Sequence, residues 1–289
     1  MLKILLPLTG LLCLGLLVAC AGNASDNPSN TSTSTNPGEY DFDQASNAET
    51  LNNPNHEPEP EGALLQFSRP RPGDTLVILH TNMGDITLRF FPEEAPIAYE
   101  NFVTHARNGY YDGLIFHRVI NDFMIQGGCP DGTGMAGESI WGEGFGPEFS
   151  MHLRHFRGAL AMAQSRLPNS IGSQFYIVHN TDYQAFAGPQ IAATFEHALE
   201  NQDELIDETP EGERIYIRDL LSTEMIERYR QYGGTPHLDL IFNESGHTVF
   251  GHVLSGMEIV DAIADVEVNE SDRPLEDVII ERVTVTEQQ

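Results

Sequence analysis

A single arginine, Arg118, stands inside the almost wholly apolar and uncharged run FHRVINDFMIQGG, residues 116–128. A guanidinium keeps its charge at any physiological pH, and burying it without partners is costly. On a strand that edges a pocket, it offers a fixed fork of donors beside Phe116, Phe123 and Met124. That pairing suits a ligand with an apolar body and a polar amide. A second stretch, GALAMAQSRLPNSIGSQFYIV over 158–178, supplies another apolar surface with Gln174 and Tyr176 inside it. Other chemistries lack their residues. The scattered histidines and acids show neither HExxH nor paired CxxC spacing, so a metal site is not expected. GTGMAG at 132–137 lacks both the GxGxxG spacing and the following lysine of a phosphate cradle.

The elements that must position these residues are mostly short strands. Leu76 to Leu79 reads as a strand, Asn82-Met83-Gly84-Asp85 as a turn, and Ile86 to Phe90 as the returning strand. Pro96 opens a helix over roughly 96–108, with Phe102, Val103 and Ala106 at helical spacing, and Asn108-Gly109 closes it. Strands are expected near 115–119, 123–127, 159–163, 174–178 and 278–285, with an amphipathic helix over 256–264. Many short strands and few helices imply a closed or sandwiched antiparallel sheet. Residues 181–235 break this pattern with acid-rich, helix-like stretches at 191–206 and 216–231, closed by Gly233-Gly234, and read as an insert.

Residues 1–19 have the form of an export signal: a short basic start, then an apolar stretch too short and broken for a lasting membrane span. Leu17-Val18-Ala19-Cys20 resembles the lipobox of bacterial lipoproteins. That resemblance implies cleavage before Cys20 and a lipid anchor on it, on the outer face of the plasma membrane or, where an outer membrane exists, facing the periplasm. The alternative is an ordinary secretory signal. Residues 20–68 are rich in Asn, Ser, Thr, Pro, Asp and Glu and read as a disordered tether. The folded domain is then expected over 69–289. With Cys13 in the signal and Cys20 acylated, only Cys129 remains, so no intramolecular disulfide is available to the mature chain. The formal net charge of −28 argues against nucleic-acid partners and against attraction to anionic lipids.

Three segments in order, 116–128, Gly172-Ser173-Gln174-Phe175-Tyr176 and His247-Thr248-Val249-Phe250-Gly251, follow the helix segment YENFVTHARNGYYDGLIFHR. Together they resemble the cyclophilin family of peptidyl-prolyl isomerases from about Thr75 to Thr286, leaving out the insert. The resemblance implies a mainly β fold: a closed eight-stranded antiparallel β-barrel capped by two helices, with the ligand groove on its outer wall. Carried over by position, the family's key arginine falls on Arg118. Its proline pocket falls on Phe123, Met124, Tyr176, Leu238 and His247, where many relatives have phenylalanine in place of Tyr176. Polar groove residues fall on His117, Gln126 and Gln174, and the strand that pairs with substrate backbone on Ala163 and Gln164, asparagine being usual at the latter. His237 stands where several eukaryotic members have tryptophan. LDLIFNESGH, between the positions of Leu238 and His247, is longer than the family's usual link.

The implied activity is rotation about X–Pro bonds in exported proteins by a monomer, with no cofactor and no metal. Its partners would be proline-containing segments of unfolded or partly folded chains. The alternative is a non-catalytic proline-peptide-binding chaperone or adaptor, with the insert selecting the partner.

Overall fold

A computed structural model describes residues 64–210, 212–243 and 246–289. The expected signal, the lipidated Cys20 and the tether through residue 63 lie outside the described residues. Ten strands and five helices are present among those described. The strands are β1 (Thr75–Thr81), β2 (Gly84–Phe90), β3 (Arg118–Ile120), β4 (Met124–Gly127), β5 (Ala159–Met162), β6 (Phe175–Val178), β7 (Leu205–Glu208), β8 (Arg214–Tyr216), β9 (Val249–Ser255) and β10 (Ile280–Glu287). The helices are α1 (Pro96–Arg107), α2 (Tyr183–Glu200), α3 (Ile217–Leu220), α4 (Thr223–Tyr232) and α5 (Met257–Ala264).

Eight strands form one antiparallel sheet in the order β10-β1-β2-β9-β5-β6-β4-β3. This sheet is curled but not closed into the expected continuous barrel. Its end strands β10 and β3 do not pair with each other. The segments before them come together instead, through the bridge Ile115–Ile279 and bonds such as Phe116 N–H to Val278 O at 2.9 Å. β3 is only three residues long and ends at the Asn121-Asp122 turn, which is too short to carry a ladder across the gap. Asp122 takes a left-handed conformation there (φ 55°), which Asp and Asn tolerate better than most residues.

Side chains alternate across the sheet, because successive residues of a strand point to opposite faces. The concave face buries Val77, Leu79, Ile86, Leu88, Val119, Ile125, Leu160, Ile177 and Phe250. α1 lies at one end, starting on Pro96 and burying Phe102 against Phe175 (5.2 Å between ring centres) and Phe250 (5.4 Å). Removing a ring so fully buried costs about 3–5 kcal/mol. α5 adds Val260, Ile263 and Ala264 to the same core.

The insert builds a second core rather than a loose excursion. Its centre is Tyr183, Ile191, Phe195, Ile217, Met225, Ile226 and Tyr229, joined by Phe156 of the main sheet's flank and by Leu64. The expected helix at 191–206 instead starts at Tyr183, kinks at Gly188-Pro189 and ends at Glu200, where the hairpin β7–β8 begins. Gly188 (φ 73°) and Pro189 account for the kink, since proline lacks the N–H that a helix needs. The second helical stretch is α3 and α4, with the Ser222 hydroxyl capping α4 at Met225 N–H.

Residues 64–67, ahead of the expected boundary at 69, also pack on the domain. Leu65–Phe67 forms a 3-10 turn, and Gln66 is fully buried between Arg154 and His252. Polar neighbours in the sequence hide the short apolar run Ala63-Leu64-Leu65-Gln66-Phe67 that makes this docking favourable.

Candidate active site

Strand pairing sets the order of the groove residues. Arg118 lies opposite Gln126, Gln126 opposite Tyr176, and Tyr176 opposite Ala161. Directly paired residues share a face, so all four stand in one row on the convex wall. Beside the row, Met124, Tyr176, Ala161, Val178 and Val249 form an apolar cluster on the same wall, with Phe123, Leu238 and Ala163 packed against it. The sheet thus brings Arg118 onto the face that carries the aromatic and thioether groups.

Arg118 is 42% exposed and pairs with Asp272 of the loop before β10 (Nε to Oδ2, 3.6 Å). Asp272 is itself fixed, because its carbonyl accepts from Val119 N–H at 2.7 Å. Composition and spacing gave no sign of this partner, since it comes from a loop 154 positions away (272 − 118) and sits among other acids. The Gln126 side chain donates to Gln174 Oε1 (3.0 Å), and Gln174 donates on to the carbonyls of Gly134 (3.0 Å) and Ala136 (2.7 Å). The glycine-rich loop therefore acts as a wall hung on the two glutamines. His117 is buried against Gly134, and burial with the nearby Arg118 lowers its pKa, so it is neutral at pH 7. Its Nδ1 has no hydrogen-bond partner among the described residues.

The apolar side is a stack of rings. Phe123 stacks on His237 (5.9 Å, 28° between planes), Tyr176 stacks on His155 (6.2 Å, 11°), and His247 meets Tyr176 edge-on (5.7 Å, 81°). Burial, with a smaller effect from His155, pulls the His247 pKa down to about 4, so this ring is neutral in ordinary buffers. Burial likewise pushes the Tyr176 phenol well above its usual range, and it stays protonated. The Tyr176 hydroxyl has no hydrogen-bond partner among the described residues. Leu238 lies in the 3-10 turn Pro236–Leu238 that leaves the insert, and it packs against the apolar cluster despite the long link that follows.

Ala163 and Gln164 lie just beyond β5. The Ala163 N–H donates to Gln174 O at 3.0 Å, and the Gln164 side chain bonds Gly246 O, next to His247. Arg118, Gln126 and Tyr176 thus share one wall with Phe123, Met124, Ala163 and Leu238, Gln174 and His247 contact that row, and His117 and Gln164 adjoin it at Gly134 and Gly246. Sequence reasoning missed Asp272, His155, Asp239 and Tyr229, whose contacts span large sequence separations and follow no local period.

Comparisons with known proteins agree with this geometry. The family model described as cyclophilin type peptidyl-prolyl cis-trans isomerase/CLD matches residues 76–285. A Staphylococcus aureus protein named provisionally as a peptidyl-prolyl cis-trans isomerase is 43% identical over 215 residues, covering 74% of this chain and 93% of that protein. A Staphylococcus epidermidis protein of the same name is 42% identical over 212 residues, covering 73% and 91%. Among solved structures, a cyclophilin type peptidyl-prolyl cis-trans isomerase of Cryptosporidium parvum, crystallised in the presence of the dipeptide Ala-Pro, superposes with a TM-score of 0.52 at 27% identity. It covers 74% of this chain and 99% of its own. The convex-wall row, the apolar cluster beside it and a match across nearly the whole described region all point one way: this chain belongs to the cyclophilin-type peptidyl-prolyl cis-trans isomerases.

Proposed function

We infer that this isomerase acts on X–Pro bonds of exported polypeptides, with Arg118 as the group that favours the half-rotated bond. The observation that carries the reading is the row Arg118–Gln126–Tyr176 running beside the socket of Phe123, Met124, Leu238 and His247. Rotation breaks no covalent bond and moves no proton. The barrier is lost amide resonance, about 18–20 kcal/mol. At the twisted midpoint the proline nitrogen becomes pyramidal and its lone pair localises. A donor aimed at that nitrogen binds the twisted form better than either planar one, which is the condition for catalysis. One hydrogen bond from a charged group supplies about 1.5–3 kcal/mol, or roughly one to two powers of ten in rate.

The remaining acceleration comes from the socket. Phe123, Met124 and Tyr176 grip the proline ring while the preceding carbonyl swings, and they exclude the water that stabilises the planar amide. Gln126 holds substrate backbone, and the Ala163–Gln164 segment pairs with it. His117, Gln174 and His247, neutral or uncharged, complete the groove without adding charge. Support for proline-containing partners comes from the Cryptosporidium relative, whose structure was solved in the presence of Ala-Pro. A protease-coupled proline-peptide assay on the chain in detergent tests the role of Arg118. Arg118→Ala should lower kcat/KM by about 10- to 100-fold. A rate equal to wild type would remove Arg118 from the mechanism.

Localisation rests on Leu17-Val18-Ala19-Cys20 and the polar segment after it. We read Cys20 as lipidated and the enzyme as a monomer held on the outer face of the bacterial plasma membrane, or on the periplasmic side of an outer membrane. There it meets unfolded and partly folded exported chains, for which proline exchange is a slow step. Labelled palmitate should enter the wild-type chain in cells and be absent from Cys20→Ser. Equal label in both would end the anchor reading.

A further inference from the structure

Behind the socket, one buried carboxylate joins the insert to the groove. Asp239 directly follows Leu238 in the chain and is 4% exposed. Its Oδ1 accepts from the backbone N–H of His155 (2.9 Å) and from His155 Nδ1 (2.7 Å). Its Oδ2 accepts from the Tyr229 hydroxyl at 2.6 Å, with Arg154 Nε at 3.9 Å. Tyr229 belongs to α4 of the insert, where its ring packs on Phe156 (4.4 Å) and Phe195 (5.8 Å). The neighbouring turn of α4 reaches the same place, with Met225 Sδ accepting from Arg154 Nε at 3.3 Å.

The other end of this chain of contacts is the socket. His155 lies parallel to Tyr176, and both meet His247 edge-on. Backbone bonds lock the insert's exit against the same residue: Thr235 N–H donates to His155 O at 2.7 Å, and Gly234 bridges Phe156. Gly234 takes φ 133°, and a side chain there would collide with the His155 carbonyl, so only glycine allows this approach.

We propose that Tyr229 and Asp239 are positioning residues for the proline socket, through which the insert fixes the His155 and Tyr176 rings and the adjacent Leu238. A carboxylate this buried holds its partners firmly because each lost bond leaves a desolvated group unpaired. Removing the Tyr229 hydroxyl frees Asp239 to turn. His155 then loses its fixed orientation, and the Tyr176 face that grips the proline ring shifts. Arg118, across the groove, is untouched. The loss therefore falls on binding of planar and twisted substrate alike and appears in KM rather than kcat. This proposal rests on the reading of Tyr176 and Leu238 as socket residues.

The test compares Tyr229→Phe with Ile226→Val, using kcat and KM for a proline peptide and the melting temperature of the full chain. Ile226→Val trims the insert core without touching the carboxylate network. Tyr229→Phe should raise KM about tenfold, with kcat within about twofold of wild type. Ile226→Val should lower the melting temperature and leave KM at the wild-type value. A wild-type KM in Tyr229→Phe, or an equal rise in both variants, overturns the proposal, the second because packing alone would then account for it. Should Tyr229→Phe fail to fold, Asp239→Asn takes its place: a raised KM supports the proposal and an unchanged KM overturns it. A wild-type chain that neither binds nor turns the peptide overturns the socket reading itself. Normal wild-type turnover with unchanged KM in the variant overturns only the positioning role.

Discussion

The two sides of the groove are built by different means. The polar side is built on adjacent strands: pairing register aligns Arg118 with Gln126, Gln174 just before β6 is bonded to Gln126, and the arginine is half-exposed. The apolar side depends on parts far apart in sequence: Tyr176 from β6, Leu238 and Asp239 from the turn leaving the insert, His155 from the segment before β5, and Tyr229 from α4. One side is therefore a local property of the sheet, while the other is shared between two hydrophobic cores. Damage should follow the same division: polar-side changes should cost activity and little stability, and apolar-side changes should cost both.

The largest effect is expected at Asp239. Asp239→Ala leaves the Tyr229 hydroxyl and His155 Nδ1 without their acceptor and Arg154 without its nearby counter-charge, and should cost about 3–5 kcal/mol of folding stability in denaturant unfolding. A loss under about 1 kcal/mol, the range of an exposed ion pair, would make the two sides equivalent. Acid should expose the same asymmetry. Burial lowers the pKa of His247 to about 4 and that of His252 to about 3, with Arg89 and Arg157 also disfavouring charge on His252. Both rings are neutral when folded, yet gain protons near pH 6.5 when unfolded. Their contribution is fully present above about pH 6.5 and is lost as pH falls through 4 and then 3. Between pH 7 and 4.5 each should cost about 2 kcal/mol, read as a falling denaturant midpoint. A midpoint that stays level over that range would show that water reaches both rings. The smallest effect on stability belongs to Arg118→Ala, within about 0.5 kcal/mol, although its effect on rate is large. An unfolding midpoint that fell as far as that of Asp239→Ala would erase the contrast.

Legibility in the sequence followed the same line. Strand alternation and turn residues marked the hairpin at Asn82–Asp85, the helix opened by Pro96 and the strands on either side of Asn121-Asp122, each within a few residues. Arg118, Gln126 and Tyr176 could be assigned to one site because their motifs are short and contiguous. The insert's helices were legible as helices, but α2 begins eight residues before the expected 191, with the Gly188-Pro189 kink inside it. The docking of Leu64 to Phe67 was obscured by the polar sequence around it. Asp272 and Asp239 each look like one more surface acid in a chain of net charge −28.

By itself, the sequence determined which residues are apolar, where the strands and turns fall, and hence which side chains share a face, because a period of two is a property of the backbone. Only the tertiary structure decided whether the sheet closes, where the insert packs, and that Asp239, among the described acidic residues, is buried as an acceptor. Those outcomes depend on contacts between segments tens of residues apart. Their energies come from desolvation and packing, which a linear order of residues does not specify.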